Sequence, residues 1–262
     1  MPTLTETERV GTVLAGKYRL DRILGRGGMG VVYAGLHTWT GRKVAVKLLH
    51  PELARDEVVS SRFLQEAKAA ASIKTPNVVD VLDMGIEPDG AVYLVLEYLR
   101  GETLAARLST RGSLPVSETL AILLPVLDGL ARAHAKGIVH RDLKPDNLFL
   151  AIDDRGVIVP KLLDFGVAKV LGKESLRHTR EGTIVGTPQY MSPEQAKAVP
   201  VDARSDIYSL GLILHELLNG KPTFTGETPP IVMVKQVTEA PPALPDWVPE
   251  DLQTLVFDML EK

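Results

Sequence analysis

The stretch at residues 140–166 restricts what this chain can be more than any other part of the sequence. It opens with HRDLKPDN and closes with DFG, and it places Asp142 ahead of a cation, Lys144, and an amide, Asn147. A second carboxylate, Asp164, follows twenty-two positions after Asp142. Phosphoryl transfer requires such groups, because a hydroxyl must be oriented, charge must be neutralised and Mg²⁺ needs oxygen ligands. The alternative is a plain polar loop between the strand-like segments GIVH and NLFL.

Further motifs occur in a consistent order and argue against the plain loop. GRGGMGVVYAG fits the pattern G-x-G-x-x-G-x-V through Gly25, Gly27, Gly30 and Val32, AVK follows at residues 45–47, and GTPQYMSPE comes after DFG. Glycines let backbone N–H groups approach phosphates, although a glycine-rich β-turn alone would read the same way. Taken together, these motifs resemble those of eukaryotic-type protein serine/threonine kinases, in the style found in bacteria.

The resemblance implies an α+β, bilobal protein kinase fold, with a β-rich small lobe that carries one helix and a mainly helical large lobe. We expect a flexible lead-in at 1–16, the small lobe at 17–98 and the large lobe at 99–262. The family continues beyond the point where this chain stops, and there supplies an arginine that pairs with the counterpart of Glu194. We therefore expect the large lobe to be incomplete at its C-terminus.

Composition adds bounds on class and partners. The chain has 262 residues, enough for one large domain or two lobes, with 45% hydrophobic and 24% charged residues. Its formal net charge of −3 gives no reason to expect nucleic acid as a partner. It has no cysteine, its first residues are polar and acidic, and no apolar run is long enough for a membrane span. We expect a cytoplasmic chain without membrane contact.

An ion pair is expected in the small lobe. A helix is predicted at about 56–73, because its apolar residues recur at intervals of three and four. Glu66 lies on the same face as Val59, Phe63 and Ala67. An inward carboxylate is costly unless it is paired, and Lys47 is the natural partner. The resemblance implies this pair, with Lys47 also holding the α- and β-phosphates.

The resemblance also implies the nucleotide contacts. The run AVYLVLEYLRG would be the last small-lobe strand and the hinge, where backbone groups of Glu97 and Leu99 meet adenine and Leu96 is the gatekeeper. Val32, Ala45 and Phe149 would sandwich the purine, although ordinary core packing explains each of them equally well. The full set of expected nucleotide contacts is Leu24, Gly25, Arg26, Gly27, Gly28, Met29, Gly30, Val31, Val32, Ala45, Lys47, Glu97, Leu99 and Phe149.

In the large lobe the resemblance implies the chemical roles. Asp142 would orient the substrate hydroxyl and accept its proton, while Lys144 would contact the γ-phosphate. Asn147 and Asp164 would hold Mg²⁺, and Thr187 would bridge the base and the lysine.

Other residues of the large lobe are expected to be structural. His134 and His140 are predicted to pack and hydrogen-bond rather than act as bases, and the resemblance implies that Asp206 braces the backbone of the catalytic loop. Ser117 is predicted to cap a helix that Pro125 kinks or splits. A buried helix is expected from Asp206 to a stop at Asn219-Gly220, and the proline-rich segment 222–249 is expected to be irregular.

Regulation is expected at the activation loop between Asp164 and Glu194. Arg141, beside the base, is typical of kinases that loop phosphorylation switches on. Thr179 and Thr183 are the candidate sites, and Glu181 stands where related kinases often carry a second threonine.

The leading hypothesis is ATP-dependent and Mg²⁺-dependent transfer of the γ-phosphoryl group to serine and threonine hydroxyls of protein substrates, with a homodimer as a route to autophosphorylation. One alternative is a pseudokinase that binds nucleotide as a scaffold, but such proteins usually lose one of the residues at positions 47, 142 and 164. Another alternative, a small-molecule phosphotransferase of related fold, would lack the HRDLK and SPE segments.

Overall fold

The computed structural model describes residues 4–165 and 187–262. The chain divides into two compact units, Met1–Lys74 with Val79–Arg100 and Thr75–Val78 with Gly101–Lys262. We call them the small unit and the large unit. The expected lobe boundary between residues 98 and 99 stays a prediction.

An antiparallel sheet forms the small unit, and its strand order is β1-β2-β3-β4-β6-β5. Hydrophobic side chains on one face, among them Tyr33, Val46 and Val95, form its core. Gly30 closes the β2–β3 hairpin, where a Cβ would collide with the carbonyl oxygen of Leu48. The strands are β1 Val13–Leu14, β2 Tyr18–Gly27, β3 Gly30–His37, β4 Lys43–Leu49, β5 Val81–Ile86 and β6 Val92–Glu97.

Two helices, α1 Pro51–Ala54 and α2 Glu57–Ala71, complete the small unit. The carboxylate of Asp56 caps α2 by accepting from the backbone N–H groups of Val58 and Val59, at 2.9 and 3.1 Å. The helix predicted at 56–73 is confirmed, with both ends within two residues.

The segment before Tyr18 differs from the flexible lead-in that we expected. Its residues 13 and 14 form β1, and Leu14 is buried in the core. Arg9 is also buried and pairs with Asp89 at 3.1 Å, while the Tyr33 hydroxyl donates to the Glu6 carbonyl at 2.9 Å. A two-residue strand is too short to show a periodic pattern, so the sequence carries no signal for it.

The large unit combines a small antiparallel sheet, in the order β7-β8-β9, with helices. Its elements are β7 Gly101–Thr103, α3 Leu104–Arg111, α4 Val116–His134, β8 Leu148–Ile152, β9 Ile158–Leu162, α5 Pro193–Ala196, α6 Ala203–Asn219, α7 Pro229–Thr238 and α8 Glu250–Met259. The side chains of α6 are buried on almost all sides of the helix, as expected for a central helix.

Three helix predictions for the large unit need comment. Ser117 does not cap α4, because the helix already begins at Val116 and Pro115 occupies the cap position. Pro125 lies inside a continuous helix and does not split it, since the apolar face around Val126 is fully buried and outweighs the lost hydrogen bond. The predicted stop of α6 is confirmed, because Gly220 adopts a left-handed conformation with φ 79°.

The expectation of irregular chain at 222–249 is wrong for residues 229–238, which form α7. Pro229 and Pro230 do not oppose this helix, because they occupy its first turn, where backbone N–H groups have no intrahelical partner. Val232 and Gln236 are its buried residues.

Candidate active site

The polar loop at residues 140–147, which we call the catalytic loop, is held by one buried carboxylate. Asp206 in the first turn of α6 is 1% exposed, and its two oxygens accept the backbone N–H groups of His140 and Arg141 at 2.8 and 2.9 Å. His134, at the end of α4, contacts the same carboxylate at 2.7 Å. The expectation that Asp206 braces this loop is therefore confirmed.

His140 is a structural residue, as its sequence context predicted. It is fully buried, and its Nδ1 accepts the backbone N–H of Asp142 at 3.3 Å. The other ring nitrogen must then carry the proton, and it donates to the Leu163 carbonyl at 2.8 Å. The ring also packs on Phe165, with centroids 4.7 Å apart. Because both nitrogens are bound to backbone groups, this imidazole ties the catalytic loop to the segment that holds Asp164.

Two of the expected site residues, Lys144 and Asn147, contact one carboxylate oxygen of a third, Asp142. Lys144 Nζ lies 2.9 Å from Oδ2 of Asp142, and Asn147 Nδ2 donates to the same oxygen at 3.0 Å. The described contacts fall on Oδ2, so Oδ1 of Asp142 is the oxygen that can accept a proton from a hydroxyl group. Asp142 is half-buried, with a side chain 32% exposed, so a molecule that carries a hydroxyl group can reach its carboxylate.

The side-chain amide of Asn147 is arranged so that its oxygen is available as a ligand for magnesium. Its amide nitrogen also donates to the Asp142 carbonyl at 2.7 Å, so both amide hydrogens are used within the catalytic loop. Its Oδ1 is therefore the atom that can ligate a hard cation. The backbone carbonyl of Asn147 accepts from Leu163 at 2.9 Å, which brings Asp164 into the same part of the large unit.

Two of the motif residues have uncommon backbone conformations. Arg141 has φ 67° and Asp164 has φ 53°, in the left-handed region that non-glycine residues seldom occupy. Such conformations persist where the surroundings enforce them, and they concentrate at functional sites. Nε of Arg141 is buried and, among the residues that the structure describes, has no hydrogen-bond partner. A buried guanidinium N–H group without a partner favours an anion as its acceptor.

The end of the activation loop and the start of α5 are tied to the catalytic loop. Ser192 and Gln195 form a reciprocal capping box on α5, and the Gln195 amide donates to the Arg141 carbonyl at 2.6 Å. Thr187 precedes a 3-10 turn at Pro188–Tyr190. Sequence reasoning missed Gln195, and the S-x-x-Q spacing within SPEQ was the signal that could have revealed it.

Glu194 has found a partner within this chain, because the Ser205 hydroxyl donates to its carboxylate. Its residue is half-buried rather than buried. The Ser205 hydroxyl is thus a partner of this carboxylate that the sequence did not reveal.

In the small unit the strand register decides which expected nucleotide contacts share a face. Val32 pairs with Lys47, Lys47 with Leu94, and Ala45 with Leu96. Paired residues project to the same side of a sheet, and so do residues two apart along a strand. The side chains at positions 32, 45, 47 and 96 therefore share the face opposite the core.

The side chain of Val31 lies on the face opposite to those of the other expected nucleotide contacts on β3 and β4, and its contact with nucleotide stays a prediction. Val31 alternates with Val32 along β3, is 3% exposed and belongs to the core on the other face. Its side chain is therefore a core residue. The turn residues Gly28 and Met29 lie between β2 and β3, as the glycine motif predicted.

The remaining expected sites are distributed over both units. Lys47 is buried at 8% exposure, Glu66 lies half-buried on α2, and their mutual ion pair stays a prediction. Glu97 ends β6, where its backbone N–H and carboxylate both bond to Asp80. Phe149 lies on β8 of the large unit. Thr179, Glu181 and Thr183 lie outside the described residues.

Comparison with known proteins agrees with these motifs. Residues 18–262 match the family model of the protein kinase domain. A probable serine/threonine-protein kinase of Streptomyces coelicolor is 41% identical over 255 residues, which cover 95% of this chain and 37% of the relative. Probable serine/threonine-protein kinase PknB of Bifidobacterium longum is 40% identical over 237 residues, 87% of this chain and 34% of the relative. The chain thus spans about a third of the length of these curated relatives.

The fold gives the same result. The crystal structure of a double mutant of the Mycobacterium tuberculosis PknI kinase domain matches with a TM-score of 0.72 and 29% identity, over 96% of this chain and 89% of that one. By its motifs, its sequence relatives and its fold, this chain belongs to the protein kinase family.

Proposed function

We propose that the protein transfers the γ-phosphoryl group of ATP to serine or threonine hydroxyls of protein substrates. The observation that carries this proposal is the cluster on Asp142, whose carboxylate is held by Lys144 and Asn147 on a loop anchored by Asp206. The names of the relatives, serine/threonine-protein kinases, support the substrate class.

Each residue of the large unit would have a distinct task. Oδ1 of Asp142 orients the acceptor hydroxyl and takes its proton, and Lys144 supplies positive charge beside it. Oδ1 of Asn147 and the carboxylate of Asp164 would ligate Mg²⁺, which when bound neutralises phosphate charge. Thr187 would bridge Asp142 and Lys144 and so help to fix the position of both side chains.

The small unit would bind the nucleotide. The face with Val32, Ala45 and Lys47 is the surface on which the adenine and phosphates would lie, next to the glycine-rich β2–β3 turn. The hinge contacts of Glu97 and Leu99 and the Lys47–Glu66 pair belong to this proposal. A pseudokinase is disfavoured, because Lys47, Asp142 and Asp164 are all present.

Location and partners follow from the proposed reaction. A cytoplasmic site, where ATP is available, and a homodimer that phosphorylates itself are both part of the proposal. Within the described residues, no helix combines the length and the apolar composition needed to span a membrane.

The role of Asp164 leads to a test with a binding readout. Asp164→Ala should remove the Mg²⁺ dependence of nucleotide affinity, because one of two proposed protein ligands is lost. Fluorescent-nucleotide titrations with Mg²⁺ and with EDTA measure this effect. Asp154→Ala, which changes another aspartate of the large unit, is the matched control. If Asp164→Ala and wild type respond to Mg²⁺ alike, Asp164 is not a metal ligand, and labelled phosphate transfer from ATP to a protein acceptor then tests the activity separately.

The buried Nε of Arg141 leads to a prediction about regulation. A phosphothreonine supplies roughly −2 charge and three acceptor oxygens, whereas the carboxylate of Glu181 offers half that charge. The unphosphorylated protein should therefore have weak basal activity and gain more when Thr179 is modified, with Thr183 as a second candidate. Thr179→Ala should block the gain, and Glu181→Ala should lower the basal rate.

Mass spectrometry of the autophosphorylated protein, with rates before and after phosphatase treatment, measures both effects. Thr183→Ala tests the second candidate site separately. Equal rates in the phosphorylated and dephosphorylated states would remove the proposed role of Arg141.

A further inference from the structure

Residues 5–12, which we call the N-terminal strap, are fixed on the small unit by contacts that the proposed mechanism does not use. The Arg9 side chain is 10% exposed and pairs with Asp89, in the turn between β5 and β6, at 3.1 Å. The hydroxyl of Tyr33, a core residue of β3, donates to the Glu6 carbonyl at 2.9 Å. Because both contacts involve buried side chains, the backbone at Glu6 has a fixed position beside the sheet.

The strap places the Glu6 carboxylate next to the glycine-rich β2–β3 turn. Oε2 of Glu6 lies 2.7 Å from Nε of Arg26, near the end of β2. Arg26 pairs with Val31, whose side chain belongs to the core. Paired residues project to the same side of a sheet, so the Arg26 side chain points away from the face that would hold the nucleotide. Any contact of Arg26 with a nucleotide would therefore involve its backbone, while its side chain ties the turn to the strap.

His50, the residue after β4, binds the same turn at two points. Its Nε2 lies 2.9 Å from the Gly27 carbonyl, and its backbone N–H donates to the Met29 carbonyl at 2.9 Å. A carbonyl oxygen only accepts, so Nε2 carries the proton and donates it. Nδ1 of His50 lies 4.0 Å from Oε1 of Glu6. One residue thus binds the carbonyls on both sides of Gly28, and the strap lies beside that residue.

We infer that Glu6 and His50 are positioning residues that hold the glycine-rich β2–β3 turn in one arrangement and so raise the affinity for ATP. This inference rests on the proposed function, in which the backbone N–H groups of the turn face the phosphates. Glycines give a turn many accessible conformations, and a ligand that must order such a turn binds less tightly. The contacts of Glu6 and His50 order the turn through protein groups alone, which reduces this cost.

Glu6→Ala and His50→Phe test the inference. The first variant removes the carboxylate but keeps the carbonyl that Tyr33 binds, and the second keeps an aromatic ring but has no donor for Gly27. We expect the Kd and the KM for ATP to rise about threefold in each variant, a change that one surface ion pair or one hydrogen bond can account for. Turnover at saturating ATP and the KM for myelin basic protein should stay at wild-type values. Hydrogen–deuterium exchange should become faster in the peptide that covers 25–30.

Two variants serve as matched controls. Glu52→Ala removes the same charge from α1, where Glu52 lines the same cavity as Glu6 but is exposed and has no hydrogen bond or ion pair with other described residues. It should bind ATP as wild type does. His50→Gln retains a donor at the place of Nε2 and should restore most of the affinity that His50→Phe loses.

A double-mutant cycle connects Glu6 to the turn. Arg26→Ala should weaken ATP binding as much as Glu6→Ala does, and the double variant should lose no more than either one, because both remove the same contact. Additive losses would overturn the role of Glu6.

Three other outcomes would contradict the inference or the proposed function. A merely structural role predicts that Glu6→Ala and His50→Phe lower the melting temperature while the Kd for ATP stays unchanged, which would overturn the inference. An equal loss of affinity in Glu52→Ala would overturn it as well, since the charge of the small unit would then matter rather than the contact. Wild type that binds ATP but transfers no phosphate would contradict the proposed function alone, and the binding measurements would still decide the roles of Glu6 and His50.

Discussion

Asp142→Asn is expected to lose roughly 10²–10⁴ in turnover while it binds nucleotide as tightly as wild type. Asparagine has nearly the same size, so the contacts of Lys144 and Asn147 with position 142 can re-form around its carbonyl oxygen. What disappears is the carboxylate that accepts the proton of the attacking hydroxyl. Single-turnover phosphate transfer, measured beside nucleotide affinity, separates these two effects.

Asp146→Asn is the matched control for this variant. Asp146 lies in the same loop, four positions away, and is exposed. The two substitutions therefore remove equal charge from neighbouring positions, but only one of them touches the cluster. Equal loss in both variants would mean that the general negative charge of the loop matters rather than a positioned base, and wild-type turnover in Asp142→Asn would remove the assigned role altogether.

The residues that the sequence predicts well are those with a fixed spacing and a chemical reason. The spacing of Asp142, Lys144 and Asn147 predicts that their side chains lie close together, because a short loop can arrange them in few ways. The pattern of a helix that is apolar on all sides predicts the helix that Asp206 opens, whereas its contact with the catalytic loop followed from the family resemblance. The end of α6 at Gly220 followed from the conformational freedom of glycine.

The parts that the sequence did not reveal depend on long-range packing. Prolines at 229 and 230 indicated irregular chain, although the first turn of a helix accepts them and the buried face of α7 stabilises it. Gln236 looks like any surface glutamine in a short helix until its three partners, far away in sequence, are known. Val31 and Val32 are equally apolar, and only the register of β3 assigns one to the core.

The partner of Glu194 is another long-range contact that the sequence does not indicate. The resemblance predicts that the Glu194 carboxylate is buried and pairs with an arginine. In the structure the hydroxyl of Ser205, eleven positions later, donates to this carboxylate. A serine in the first turn of a helix gives no sign in the sequence of which acceptor it will meet.

Asp206→Ala is expected to lower the free energy of unfolding by about 3–5 kcal/mol and to reduce turnover strongly. The carboxylate is buried and binds the backbone N–H groups of His140 and Arg141 as well as the ring of His134. Alanine would leave all three donors without an acceptor, in a place that water does not reach. The catalytic loop would then lose the contact that sets the position of Asp142. Urea unfolding and steady-state kinetics measure the two effects.

Asp202→Ala is the control on the same helix. Asp202 caps α6 through the backbone N–H of Arg204 at 2.8 Å, but its side chain is exposed and contacts nothing in the catalytic loop among the described residues. Its loss should weaken the helix end less than the loss of Asp206 and leave turnover unchanged. If the two substitutions cost the same stability and both spare turnover, the buried carboxylate does not position the loop. If Asp206→Ala lowers stability alone, the loop keeps its shape through Gln195 and His140, and the assignment of Asp206 as its anchor is wrong.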